Sequence, residues 1–303
     1  MAKWRRPSIT SRPASERKSM SVRRPSVAGM FYPADPRRLR QEIEACFKHE
    51  LGPGRLPNKP KRPRSLTALV CPHAGYMYSG PVAAHSYLSL SEEEKADTFI
   101  IIGPNHTGFG TPVSLMGQGS WETPLGKADI DSELAQLIFK ASDIIDLDET
   151  AHMREHSVEV QLPFLQYLYG SNFKFIPICM GFQDLETSRS VGRILSEIIK
   201  GRSVVIIAST DLNHQESQET TNRKDSYVLE AVMRMNEEAL QSAVQRHRIS
   251  MCGYGPVSVA LVASKLLGAD KSEVLSHHTS GDITGDLGAV VGYASAKITR
   301  TVH

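Results

Sequence analysis

Apolar and polar positions alternate along this chain in two rhythms. Short, almost unbroken apolar runs at 66–70, 98–102, 173–180 and 204–208 have the length and residue types of strands buried on both faces, as a parallel sheet requires. Between them, apolar residues recur every three or four positions, which predicts helices. Leu39, Ile43 and Phe47 form such a stripe over 37–48, and further helices are expected at 81–90, 132–141, 185–200, 224–245 and 256–267. The last begins on Pro256, a favoured first-turn residue. A helical pattern over 157–169 contains Pro163, where it should kink or restart. Shorter strands are expected at 113–116, 273–277 and 289–296. Strands and helices alternate with neither an internal repeat nor a linker. The pattern predicts one α/β domain, with a central, mostly parallel or mixed sheet flanked by helices.

Composition narrows this little. Of 303 residues, 40% are apolar and 22% charged, ordinary values for a globular chain. No apolar run is long enough to span a bilayer, and no secretory apolar segment follows the N-terminus. Cys46, Cys71, Cys179 and Cys252 form no close pair, so thiols in a reducing cytoplasm are expected, with the first three in the core. Charge is more informative. Residues 1–24 hold eight Lys or Arg against the single acid Glu16, yet the whole chain carries only +2. The remaining domain, 25–303, is therefore acidic, which argues against nucleic-acid binding. The Ser- and Pro-rich 1–24 segment reads as a disordered basic leader, dispensable or preceding a true start at Met20. Gly52 to Arg64 reads as a surface loop.

The chemistry gathers where strands stop. Pro72-His73-Ala74-Gly75-Tyr76 and Gly103-Pro104-Asn105-His106 each follow a strand, and Ser209-Thr210-Asp211-Leu212-Asn213-His214 follows a third. Open α/β sheets bind ligands beyond the carboxyl ends of their strands. His73 and His106, on sequential strands expected to be neighbours, are either hydrogen-bonded structural residues or two walls of one pocket. Asp211 is either a cap or a partner that orients His214 as a general base. Cys252, just before the Pro256 helix, is a small buried residue, a metal ligand or a nucleophile. Glu155-His156-Ser157-Val158-Glu159 reads as a capped helix start, or as polar groups that back the pocket from behind. His85 reads as structural, and His277-His278 as a weak candidate for the pocket rim.

Taken together, these segments resemble the Memo family, component B of the AmmeMemoRadiSam system. The motifs are Ala28-Gly29-Met30-Phe31-Tyr32-Pro33, the two histidine turns, the 155–159 cluster, the 209–214 segment and Cys252-Gly253. The likeness runs from about Val27 to the C-terminus and leaves out the basic leader. It implies the architecture of LigB-type class III extradiol dioxygenases, whose iron is held by two histidines and a glutamate. Carried over residue by residue, it makes His73 and His106 metal ligands, Cys252 the third ligand, His214 the catalytic acid–base and Asp211 its supporting neighbour. A thiolate in place of a carboxylate leaves iron(II) first, with copper or zinc as alternatives. Radical-SAM and AMMECR1-type partner proteins are implied too. Ring cleavage is not inherited with the fold. Three functions follow: metal-dependent redox chemistry on a small molecule or peptide, a metal-free Cys252–His214–Asp211 thiol hydrolase, or a non-catalytic peptide-binding pocket.

Overall fold

The structure is a computed structural model that describes residues 21–58 and 62–301. Its first half runs β1 (Val22–Arg23), α1 (Pro36–Lys48), β2 (Leu66–Cys71), α2 (Tyr76–Ser91), β3 (Thr98–Pro104), β4 (Val113–Leu115), β5 (Ser120–Thr123), β6 (Gly126–Ile130), α3 (Ser132–Lys140) and β7 (Asp146–Leu147). Two single 3-10 turns, Thr150–His152 and Glu159–Gln161, precede α4 (Leu162–Tyr169). Then come β8 (Lys174–Met180), α5 (Leu185–Ile199), β9 (Val204–Ser209), β10 (His214–Glu216), α6 (Gln218–Met233), α7 (Glu237–Arg246) and α8 (Tyr254–Leu266). β11 (Lys271–Thr279), α9 (Ser280–Thr284) and β12 (Val290–Thr299) end the described chain.

The mixed sheet runs β1-β5-β6-β8-β3-β9-β2-β12-β10, with β11 beside β12 and β4 beside β8. Its centre, β8-β3-β9-β2, is wholly parallel, and β12 returns antiparallel to β2. Successive side chains of the central strands enter opposite cores, because strand side chains alternate between faces. Ala68, Val70, Ile100, Ile102, Ile206 and Ala208 face the layer built by α5, α6, α7 and α8. Leu69, Cys71, Phe99, Ile101, Val205 and Ile207 face the layer of α1, α2 and α4. Both faces are covered, which is why these strands carry unbroken apolar runs. The expected single α/β domain with a mixed, helix-flanked sheet is the observed one.

Four expectations need correction. β2 and β3 are not neighbours; β9 lies between them, so the turns after His73 and His106 flank the Asp211 turn. The helix expected over 224–245 is two, because Met235 takes φ +52 and Asn236 then caps α7 through the Ala239 N–H. α2 starts at Tyr76 and runs through Pro81 rather than beginning there. The expected boundary at residue 24 also fails. Residues 1–20 lie outside the described residues, but Val22 and Arg23 pair with β5 and Arg23 is buried. Pro163 restarts the chain as expected, in the first turn of α4. Cys46, Cys71 and Cys179 are core residues. No helix among the described residues is long and apolar enough to cross a membrane.

Candidate metal centre

The register places Cys71 beside Ser209, and Pro104 beside Met180 one strand further on. Four parallel strands thus stop together, and the residues just beyond β2 and β3 converge with the 153–158 segment. One potential ligand atom each from His73, His106 and His156 lies within 4.8 Å of the other two. The His106 and His156 rings stack with centroids 4.6 Å apart, and His73 stands edge-on to both.

Hydrogen bonds on the outer side of the rings fix which nitrogen is bare. His73 Nδ1 is 2.9 Å from Ser209 Oγ. That hydroxyl already donates to the Ser157 carbonyl and accepts from Gln161 Nε2. Its one hydrogen is committed, so His73 Nδ1–H is the donor and Nε2 keeps its lone pair. His106 donates from its backbone N–H to Glu155 Oε2 (2.6 Å) and from Nδ1 to Oε1 (2.9 Å). Glu155 is buried and also accepts the His156 and Ser157 N–H groups. This is the carboxylate–histidine arrangement that orients metal-binding imidazoles.

The electrostatics agree at His73 and His156, while at His106 a proton on Nε2 competes with a metal. Burial, with the neighbouring histidines, holds His73 well below the ordinary histidine range, so it is neutral at pH 7. Burial also lowers His156, against the opposing pull of Glu155. Burial pulls His106 down too, but the Glu155 hydrogen bond and charge outweigh it, and the net shift is upward. The same contacts outweigh burial at Glu155 and bring it down to about 2.

Cys252 adds sulfur at the edge of this group, its Sγ 3.2 Å from His73 Nε2. The thiol also accepts the Asp211 N–H at 3.1 Å. Gly253 is required beside it, since a Cβ there would overlap the Ser209 carbonyl. Burial and then the Asp211 charge push the thiol pKa up, despite the helix that follows. Asp211 itself accepts the His73 N–H at 2.8 Å, and burial raises its carboxyl to about 6. His214 is close enough for its charge to act on both Asp211 and His73. Its Nδ1–H donates to the Ser250 carbonyl at 2.9 Å, leaving Nε2 bare. The imidazole that meets the Cys252 thiol is thus His73, not the His214 that a thiol hydrolase would use.

All five residues expected from the sequence, His73, His106, Asp211, His214 and Cys252, stand at this end of the sheet. His156 was read only as part of a helix start or supporting cluster. It joins the imidazole group because 153–158 is irregular chain between two 3-10 turns. An acid flanked by a histidine was the available signal. His85 instead bonds the Leu51 carbonyl, and His277 pairs with the buried Asp225. A cavity of about 880 Å³ between α1 and α2 contains none of the imidazole group, although Phe31 lines it and also lies 4.8 Å from the His156 ring.

Comparison with known proteins adds ancestry to this geometry. The sequence profile described as Memo-like protein matches residues 23–297. A MEMO1 family protein of Methanopyrus kandleri is 49% identical over 280 residues, covering 92% of this chain and 99% of its own. One from Methanocaldococcus jannaschii is 50% identical over 285 residues, covering 91% and 99%. Among solved structures, an uncharacterized protein from Escherichia coli superposes with a TM-score of 0.55 at 13% identity, over 77% of this chain and 99% of that one. At that identity the likeness concerns the fold alone.

Proposed function

This chain belongs to the Memo-like family, and from that premise we propose that it binds a metal ion and performs redox chemistry on a small-molecule or peptide substrate at the carboxyl end of its sheet. The observation that carries the proposal is the convergence of His73, His106 and His156, with His73 and His106 presenting bare nitrogens fixed from behind by Ser209 and Glu155. Borderline imidazole donors with a thiol at their edge fit iron(II), copper or zinc rather than magnesium or calcium. His73, His106 and Cys252 would hold the ion, with His156 as the adjoining imidazole. When bound, iron(II) or copper would exchange electrons and polarise an oxygen of the substrate.

The other residues handle protons. His214, with Nδ1–H tied to Ser250, offers Nε2 as a base. Asp211, raised by burial to about 6, anchors the His73 backbone. The raised thiol, met by His73 and not by His214, weighs against the Cys252–His214–Asp211 hydrolase.

The test is anaerobic metal analysis of protein purified under reducing conditions. About one iron or copper per chain is expected, lost in His73→Ala and Cys252→Ser. No uptake after anaerobic reconstitution with Fe(II), Cu(I) and Zn(II) would overturn the proposal.

A further inference from the structure

We propose that the buried ion pair between Arg23 and Glu159 is a positioning device that holds the turn carrying Glu155 and His156 against the other two histidines. The inference rests on the metal-site reading above and adds two residues that touch no ligand atom.

Arg23 comes from the short strand β1 and is fully buried, with its guanidinium 4.0 Å above the Trp121 ring. Besides the adjacent Arg24 carbonyl at 3.4 Å, its planar fork reaches three acceptors distant in sequence. Nε donates to the His152 carbonyl at 2.7 Å, Nη2 to the Glu155 carbonyl at 2.7 Å, and Nη1 to Glu159 Oε2 at 2.6 Å. The two carbonyls bracket the first half of the irregular 153–158 segment. Glu159 completes the clamp from the other side. It accepts the Ser26 and Val27 N–H groups and the Tyr32 hydroxyl, at 2.6 to 3.0 Å. The N-terminal segment and the site turn are thereby fixed as one unit.

Stability alone does not account for such a pair. Two fully desolvated charges commonly do no better than apolar side chains of the same size. What an apolar pair cannot do is hold two carbonyls in a fixed direction. Here that direction governs the metal site, because Glu155 is gripped through its carbonyl while its carboxylate grips His106 and the His156 N–H. A displaced Glu155 backbone would turn two of the three imidazoles. Lysine cannot replace this arginine, since a single ammonium does not span a three-way fork.

The test compares wild-type protein with Arg23→Met/Glu159→Gln, which removes both charges so that neither is stranded, and with Arg23→Lys, which keeps the charge pair. Glu237→Gln/Lys265→Met, at the far end of α8 from Cys252, is the control for losing an ion pair elsewhere. Cooperative unfolding is checked first, and then Co²⁺ and Zn²⁺ affinity and the Co²⁺ absorption spectrum are measured under reducing conditions. The double variant should bind roughly 10–100-fold more weakly, the range seen when outer partners of metal ligands are lost, with an altered Co²⁺ spectrum. Arg23→Lys should fold and still show the loss, and the control should bind as wild type does. Wild-type affinity and spectrum in a folded Arg23→Lys protein would overturn the inference and leave the metal site intact. Failure of wild type to bind any metal would overturn both.

Discussion

Glu155 holds His106 at two points, taking its backbone N–H on one carboxylate oxygen and its Nδ1–H on the other. The acid therefore sets both where the imidazole sits and which nitrogen it shows to the pocket. Glu155→Gln keeps the shape but sets an amide donor against a His106 N–H that needs an acceptor. Zn²⁺ affinity, measured by competition with a chromophoric chelator, should fall roughly 10–100-fold. Undiminished affinity would show that Glu155 does not orient the ligand.

His152 gives the protein an acid-sensitive weakness apart from the histidine cluster. Its ring is fully buried against Trp121, and neither nitrogen makes a well-formed hydrogen bond, the Ser114 backbone giving it only partial support. Burial, and then the Arg23 charge, lowers its pKa to about 4 from an ordinary 6.5. The unfolded chain takes up this proton first, so the neutral ring's contribution to stability is complete above pH 6.5. It is lost as pH falls from there through about 4. The loss is about 3 kcal/mol, at 1.36 kcal/mol per pH unit. Urea unfolding at pH 7 and pH 4.5 should show wild type losing more stability than His152→Phe. Parallel losses would mean that His152 is not buried in its neutral form.

Packing and site chemistry should separate cleanly at Phe164. Its ring stacks on Tyr87 at 4.6 Å and meets Phe47 edge-on, in the core layer of α1, α2 and α4. Phe164→Ala should cost about 3–5 kcal/mol in urea unfolding. Metal affinity of the folded variant should stay near that of wild type, since Phe164 contacts none of the imidazoles. A large loss of affinity at full folding would show that this core layer positions the site.

Close backbone approach makes a sharper demand at Gly103. A Cβ there would overlap the Ser157 hydroxyl, which bonds the Pro104 carbonyl and follows His156 directly. Gly103→Ala should push the 155–157 segment outward, and metal affinity should fall more than stability does. Equal affinity with wild type would mean that the segment shifts without disturbing the histidines.

Much of this was legible in the chain. The apolar runs announced β2, β3, β8 and β9, because strands covered on both faces have no polar side to show. His73, His106, Asp211 and Cys252 stood out because each follows a strand or opens a helix, where backbone direction forces side chains into a crevice. Strand order was not legible, since nothing local to β9 says that it lies between β2 and β3. Arg23 looked like one more charge in a solvated leader, because its partner Glu159 is distant in sequence and only the fold joins them. The break at Met235 was hidden for a similar reason. The helical stripe continues through it, and only the backbone and the Asn236 cap reveal the stop.

The most direct measurement is X-ray absorption fine structure of the reduced protein loaded anaerobically with one equivalent of Zn²⁺. Imidazole nitrogens at about 2.0–2.1 Å and one sulfur at about 2.3 Å, with the sulfur shell lost in Cys252→Ser and imidazole scattering reduced in His106→Ala, are the expected result. A shell of oxygen neighbours alone, unchanged in both variants, would contradict a metal centre built from His73, His106 and Cys252.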